Sequence, residues 1–390
     1  MVETAVTEWV ILIVGAAIAL YILVGYPILL AAVRFKAGPP VGKNLGYSPA
    51  TTAIVAVYNG GAQIRAKLDT LIALDYPKDR LEIIIVSDGS TDQTESIAKE
   101  YESRGVQLIA APHRGKATAL NLAFEKATGE LLFFTDVRQP LDPMALRHLA
   151  ANFADHTVGA VTGELRLLKG EAGEQADMDL YWRYEVWARQ KQSRIDSIFN
   201  TTGCLYAMRR ALARPIPADT LSDDAALPLM AFFEGYRVIF DPEAIALDYP
   251  AVAGTEFQRR FRNLAGLWQI FVRYPQLFSA RNRMRFHFLS HKLSRLVLPW
   301  AILMFAVGTV LLPEPRIRWP LIAAEAFFVL LAAMDGLLPK GFTLKRISSP
   351  ARTFLTMNAA SLAAIAVFFI EPTALWRPTK VKKYSSLSGE

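Results

Sequence analysis

Two carboxylates follow runs of apolar residues and could serve in binding or catalysis. Asp88 lies between IIIVS and GSTD, and Asp136 ends the stretch LLFFTD two positions before Arg138. A carboxylate at a strand end can accept hydrogen bonds from a ligand, take a proton or bind a cation. For Asp88 the alternative is capping of a helix that starts near Ser90 and Thr91. For Asp136 the alternative to binding a cation is an ion pair with Arg138, which could also pair with another nearby acid.

Strands and helices alternate from residue 50 onward, which predicts the frame that positions these acids. The strand patterns are TTAIVAV, LEIIIVSDGS, VQLIAAP and LLFFTD, and the helix patterns between them are GAQIRAKLDTLIAL, TDQTESIAKEYESRG and GKATALNLAFEKATGE. This alternation indicates a parallel sheet with helices on both faces. Ligands of such sheets bind beyond the carboxyl ends of the strands. The polar turns 87–92 and 135–139 therefore face one shared cleft.

The composition adds a membrane component to this α/β domain. Of the 390 residues 52% are hydrophobic, the mean hydropathy is +0.23 and the formal charge is +7. Residues 9–33 contain no charged side chain, and further apolar segments occupy 296–312, 319–338 and 354–370. The only cysteine, Cys204, excludes an internal disulfide framework and is expected to be a small buried hydrophobe. Because much of the positive charge lies beside the apolar segments, the membrane surface is a better partner than nucleic acid.

These patterns divide the chain into six regions. We predict an N-terminal transmembrane anchor at 1–35, a linker at 36–49, the α/β domain at 50–255, basic amphipathic interfacial helices at 256–295, transmembrane helices at 296–370 and a polar tail at 371–390. The basic WRPTKVKK of the tail conflicts with three C-terminal crossings under the positive-inside tendency, so 354–370 could fail to cross. Glu325, within an apolar segment, could line a polymer path or pair with a neighbouring helix.

The order of motifs resembles the family 2 glycosyltransferases of the GT-A fold. The motifs are VAVYNGG, VSDGSTDQT, RGKATALNLAFEKATGE, FFTDV, LSDDAALPLMAFFEGYRV and RRFRNLAG. The likeness is greatest to membrane-bound polysaccharide synthases such as the chitin, hyaluronan and poly-N-acetylglucosamine enzymes, and it covers nearly the whole chain. It implies an α/β, Rossmann-like nucleotide-sugar domain between one N-terminal and about three C-terminal transmembrane helices.

The resemblance assigns nucleotide and metal roles to several positions. It implies that Asp88 contacts the uridine, that Tyr58 and Asn59 line the nucleotide pocket and that Lys116 lies near the nucleotide, although a solvated lysine at a helix start is an equal alternative. Asp136 matches the first acid of the family's metal-binding Asp-x-Asp motif, whereas Arg138 replaces the last. One carboxylate with diphosphate oxygens and water can still hold Mg²⁺ or Mn²⁺.

Transfer of a sugar requires a base for the attacking hydroxyl and positive charge for the leaving diphosphate. In the family the base is the second acid of a pair that opens a helix eleven residues before a Gly-Tyr, which corresponds to Asp224 here, with Asp223 as the first acid. Arg260 and Arg262 match the arginines of the Gln-Arg-x-Arg-Trp motif near the membrane. They could equally meet lipid headgroups.

The sequence and its resemblance therefore predict an inverting, metal-dependent membrane glycosyltransferase that transfers a sugar from a UDP donor to a growing polysaccharide and could also export the chain. One alternative is a single addition to a polyprenyl- or other lipid-linked acceptor. Another is a non-catalytic assembly subunit, suggested by the altered metal motif. The expected partners are a nucleotide-sugar donor, a carbohydrate or lipid-linked acceptor, membrane lipids and partner subunits, without nucleic acid. We expect a multi-pass protein of a bacterial-type inner or plasma membrane with its catalytic domain in the cytoplasm.

Overall fold

A seven-stranded sheet forms the centre of the computed structural model, which describes residues 2–33, 35, 37–167, 175–248, 256–339 and 342–370. The strands are β1 Thr51–Val57, β2 Leu81–Asp88, β3 Val106–Ala111, β4 Leu131–Phe134, β5 Val158–Leu167, β6 Tyr206–Arg209 and β7 Arg237–Asp248. Their order in the sheet is β3-β2-β1-β4-β6-β5-β7.

The four strands predicted from the sequence are parallel, as expected, and the sheet continues with three strands that were not predicted. β6 runs antiparallel to both β4 and β5, whereas β5 and β7 are parallel. The sheet is therefore mixed. A short strand buried on both faces has the same apolar pattern in either direction, so its orientation could not be inferred from the sequence.

Thirteen α-helices surround or follow this sheet in the described part of the chain. They are α1 Val2–Leu20, α2 Tyr26–Ala32, α3 Gly61–Ile72, α4 Thr94–Lys99, α5 Lys116–Lys126, α6 Ala145–Ala151, α7 Gln175–Ile195, α8 Asp223–Phe233, α9 Glu256–Arg273, α10 Arg285–Phe288, α11 Ser294–Leu311, α12 Pro315–Met334 and α13 Lys345–Ala363. The polar turns after β2 and β4 lie at the carboxyl edge of the sheet, as predicted.

Both faces of the sheet are covered, which explains the continuous apolar runs of the inner strands. Ile54 and Ile84 pack with α5 and α8 on one face. Val55 and Ile85 pack with α3 and α6 on the other face. Adjacent residues of a strand thus enter different cores, and the rigid sheet fixes where its polar ends point.

Four helical stretches are long and apolar enough to cross a membrane: Val6–Ala32, Arg285–Leu311, Pro315–Leu337 and Lys345–Phe368. The second begins well before residue 296, inside the predicted surface segment 256–295, because a π-helical turn at Leu289–Leu293 joins α10 to α11. Buried polar residues such as His291 lower the local hydropathy, so this part of the helix could not be recognised from the sequence. The tail at 371–390 lies outside the described residues.

The N-terminal helix α1 packs closely against α11. A Cβ atom added to Gly15 would lie 2.6 Å from the backbone nitrogen of Phe305, so a larger residue there would force the helices apart. Glu325 accepts a hydrogen bond from Thr309 at 2.8 Å, which joins α12 to α11. Pairing with a neighbouring helix is therefore the observed arrangement of Glu325.

Candidate active site

Asp88 fixes the turn that leads into α5. Its two carboxylate oxygens accept hydrogen bonds from the backbone amides of Arg114, at 2.8 Å, and Gly115, at 3.0 Å. Gly89 has φ +69, and a Cβ there would lie 2.5 Å from the backbone nitrogen of His113, so only glycine fits. The buried carboxylate thus shapes the site, and its direct contact with a uridine stays a prediction.

An aromatic pair lies beside this turn. Tyr58 and His113 stack with ring centroids 4.2 Å apart and an interplanar angle of 25°. Asn59 has a left-handed φ of 51 and accepts a hydrogen bond from the backbone amide of Thr91 at 2.8 Å. The turns after β1 and β2 are thereby tied together next to a half-exposed imidazole. His113 was not predicted from the sequence, although an aromatic residue immediately before the RGKA segment was an available signal.

Lys116 joins two separate acidic elements. Its ammonium lies 3.0 Å from Asp136, after β4, and 3.2 Å from Asp223, at the start of α8. Burial disfavours its charge, but the surrounding charges of Asp136, Asp223 and Asp224 outweigh that effect and raise the pKa of Lys116. The alternative of a solvated lysine at a helix start is not observed. The helix start instead directs a fixed cation into the cleft.

The two acids at the start of α8 have different surroundings. Asp223 pairs with Lys116, whereas no side chain in the described ranges donates a hydrogen bond to the carboxylate of Asp224. The backbone carbonyl of Asp224 is held by the amide and hydroxyl of Thr201, at 2.9 and 2.8 Å. Burial, and secondly the charge of Asp223, raises the pKa of Asp224 to about 6. A carboxylate with this pKa suits general-base catalysis near neutral pH.

Arg189 of α7 is a second residue that the sequence analysis missed. Its guanidinium donates a hydrogen bond to the hydroxyl of Thr202 at 2.7 Å, next to the threonine that holds Asp224. Its positive charge partly offsets the rise in the pKa of Asp224. Nothing local to α7 reveals its contact with the 201–202 turn, so this role could not be predicted from the sequence.

The loop 135–139 carries Asp136 into the same cleft. Arg138 turns away from Asp136 and donates a hydrogen bond to Asp248, at the end of β7, at 2.8 Å. Of the alternatives for Arg138, pairing with a different acid is therefore the one observed. Among the described residues no three His, Cys, Asp or Glu side chains converge to hold a metal ion. Asp136 could bind a divalent cation only with further oxygens from a substrate or water, an arrangement that Mg²⁺ commonly accepts.

Arg262 completes the cleft from α9. Burial lowers the pKa of Arg262, and the negative charges of Asp136 and Asp224 oppose that effect, which places its guanidinium in the electrostatic field of the site. Arg260 is half-buried on the same helix. A Cβ at Gly266 would lie 2.2 Å from the hydroxyl oxygen of Ser222, so this glycine allows α9 to approach the start of α8.

The structure thus brings several predicted residues together. Lys116, Asp136, Asp223 and Asp224 converge, with Arg262 facing them.

Comparison with known proteins gives matches that agree with this architecture. The family model described as glycosyl transferase family 2 matches residues 52–216. The probable glycosyltransferase YdaM of Bacillus subtilis is 25% identical over 269 residues, which are 64% of this chain and 63% of that protein. The poly-β-1,6-N-acetyl-D-glucosamine synthase of Staphylococcus aureus strain COL is 26% identical over 251 residues, covering 63% of this chain and 58% of the synthase. The chain therefore spans about three fifths of these relatives.

A solved structure shares the fold over most of the chain. The mannosyltransferase PcManGT from Pyrobaculum calidifontis, solved in complex with GDP-Man and Mn²⁺, superposes with a TM-score of 0.73 and 24% identity. The match covers 92% of this chain and 99% of that one. Together with the sheet and the clustered site, these matches identify residues 52–216 as a glycosyl transferase family 2 domain within a chain of GT-A fold.

Proposed function

We propose that the protein is an inverting glycosyltransferase that moves a sugar from a UDP donor to a growing polysaccharide at a membrane. The observation that carries this proposal is the convergence of Lys116 with Asp136 and Asp223 beside the carboxylate of Asp224. The site thereby offers a base and a cation within one cleft. The similarity to a polysaccharide synthase supports the polymer as acceptor.

Asp224 acts as the general base in this mechanism. It takes the proton of an acceptor hydroxyl as the oxygen forms a bond to the anomeric carbon of the donor sugar. The bond between that carbon and the diphosphate oxygen breaks, and its electron pair leaves with the nucleoside diphosphate. A single displacement of this kind inverts the configuration at the anomeric carbon.

Lys116 and Arg262 face the developing negative charge of the diphosphate, with Arg260 nearby on α9. Preorganised cations in a partly buried site stabilise such charge without reorganisation during the reaction. Asp136 is the residue that would hold Mg²⁺ or Mn²⁺ together with diphosphate oxygens. When bound, that cation supplies further positive charge to the leaving group.

The nucleoside is assigned to the edge of the sheet beyond β1 and β2. The Tyr58–His113 pair offers an aromatic face to the base, and Asn59 and Asp88 fix the two turns beside it. Because sugar nucleotides are cytosolic, the catalytic domain lies on the cytoplasmic side, and the four apolar helices cross the inner or plasma membrane. Basic residues of α9 contact its anionic lipids.

The test is nucleotide release by the purified full-length protein in detergent. We expect UDP release from at least one of UDP-glucose, UDP-N-acetylglucosamine and other UDP-sugars, lost with EDTA and restored by Mg²⁺ or Mn²⁺. Activity that is indifferent to the chelator would assign the diphosphate to Lys116 and the arginines alone. Absence of release from the whole panel would favour a non-catalytic assembly subunit, which the Arg138–Asp248 pair in place of a second acid also suggests.

Product size distinguishes the two kinds of acceptor. A polymerase yields products that lengthen with time, whereas a single addition to a lipid-linked acceptor yields one product that carries one added sugar. Mass spectrometry of the lipid and carbohydrate fractions measures this difference directly.

A further inference from the structure

A buried lysine lies beneath the loop that carries Asp136. Lys67 of α3 is 2% exposed. Its ammonium donates one hydrogen bond to the hydroxyl of Thr135, at 2.9 Å, and another to the backbone carbonyl of Gln139. These two residues are the first and last of the loop 135–139. One side chain therefore holds both ends of the loop together.

Burial of this lysine costs free energy, so its presence at a buried position needs a reason other than packing. A buried ammonium loses its hydration, and in the part of the chain that the structure describes no carboxylate accepts a hydrogen bond from it. Burial lowers the pKa of Lys67 to about 8, and the negative charge of Asp136 opposes this effect. Lys67 lies on the apolar face of α3, between Ile64 and Leu71. A leucine or methionine would fill that position at lower cost.

The other side of the loop is fixed independently. Asp248 at the end of β7 accepts hydrogen bonds from Arg138, at 2.8 Å, and from the side-chain amide of Gln139, at 3.2 Å. The residue that replaces the second acid of the family motif is therefore anchored to the opposite side of the loop. Asp136 remains the only acid within the loop.

We propose that Lys67 is a positioning residue for Asp136, acting by tying the two ends of the loop 135–139 beneath it. This inference rests on the proposed function, in which Asp136 binds the divalent cation. A site with a single protein carboxylate depends on the placement of that carboxylate more than a site with two. Lys67 on one side of the loop and Asp248 on the other together hold Asp136 in a fixed position beyond the end of β4.

The experiment is a titration of the full-length protein, in detergent and with UDP present, with Mn²⁺. Electron paramagnetic resonance measures the free Mn²⁺ at each step and so gives the Kd. Lys67→Met removes the charge and both hydrogen bonds. Thr135→Val removes one hydrogen bond and keeps the charge. Lys78→Met is the control, because Lys78 also donates two hydrogen bonds, to the backbone carbonyls of Ile72 and Leu74, but it is exposed and lies at the opposite edge of the sheet from the site.

We expect Lys67→Met to raise the Kd of Mn²⁺ about tenfold, because it leaves the hydroxyl of Thr135 and the carbonyl of Gln139 without the lysine. Thr135→Val should raise it about threefold, because only one of the two hydrogen bonds of the tie is lost. The Lys78→Met control should bind as the wild type does. Thermal unfolding of each variant checks the fold, and if Lys67→Met does not fold, Thr135→Val decides alone.

Two results would overturn this role. Unchanged Mn²⁺ binding by Lys67→Met would mean that the tie does not position Asp136, and tighter binding would mean that the lysine acts through its charge, which repels a cation. Weaker binding by Lys67→Met with wild-type binding by Thr135→Val means that the tie itself is unimportant. Wild-type protein that binds no Mn²⁺ would instead remove the proposed metal site, and the role of Lys67 with it.

Discussion

Replacement of Asp224 by asparagine tests the proposed base directly. The substitution keeps the size of the side chain and removes its ability to take a proton. General-base catalysis contributes about 10²- to 10⁴-fold to a rate, so we expect kcat to fall about 10³-fold, equivalent to about 4 kcal/mol. The structure favours the full effect, because Asp223, the nearest alternative acid, is engaged by Lys116 at 3.2 Å.

The pH dependence of kcat/KM is a second test of Asp224. With a pKa of about 6, Asp224 is about 90% ionised at pH 7 and about 10% at pH 5. The value of kcat/KM should therefore fall about tenfold between these pH values in the wild type, and this acidic limb should be absent in Asp224→Asn. Removal of the Asp223 charge by Asp223→Asn should lower the pKa of Asp224 and move the limb to lower pH.

The assay measures UDP release over a range of pH with the sugar donor that gives the highest wild-type rate. Binding of UDP, measured by calorimetry, and thermal unfolding establish that the Asp224→Asn protein is folded and able to bind nucleotide. A variant that binds UDP normally and retains more than about a tenth of the wild-type kcat would refute the assignment. An acidic limb that persists in the variant would refute the link between pH dependence and Asp224.

Three further substitutions test other parts of the structure. His113→Ala should raise the Kd of UDP about three- to tenfold by removing the ring stacked on Tyr58, while pyrophosphate, which has no base, should bind unchanged. Arg262→Met should lower kcat/KM about tenfold or more and weaken pyrophosphate binding, because a charged hydrogen-bond donor is lost. Glu185→Ala should lower the Tm, since it removes the carboxylate 3.1 Å from the buried ammonium of Lys292, at a cost of about 3–5 kcal/mol; an unchanged Tm would contradict the buried pair.

Individual strands and helices were predictable where burial leaves a local pattern. The runs TTAIVAV and LEIIIVSD are strands as predicted, since strands covered on both faces must be apolar throughout. The start of the first C-terminal apolar helix was not visible in the sequence. The helical stretch that is long enough to cross a membrane begins at Arg285, where polar residues are buried against protein, and local hydropathy cannot distinguish such burial from exposure to water.

Lys67 shows the same limit within the site. Ile64, Leu68 and Leu71 form the buried face of α3, and Lys67 lies on that face. A lysine on the apolar side of a helix was therefore a signal in the sequence. Its partners, at the two ends of the loop 135–139, are distant along the chain and could not be inferred from α3.

The sequence by itself determined which residue types stand at the ends of the strands and the start of α8, because strand and helix periodicity are local properties of the chain. Only the tertiary structure decided how these residues pair. In the structure Lys116 pairs with Asp136 and Asp223, and Arg138 pairs with Asp248. The carboxylate of Asp224 accepts no hydrogen bond from the described side chains. Hydrogen bonds and ion pairs depend on distances of a few ångströms between segments far apart in sequence, and only the packing of the sheet and its helices sets those distances.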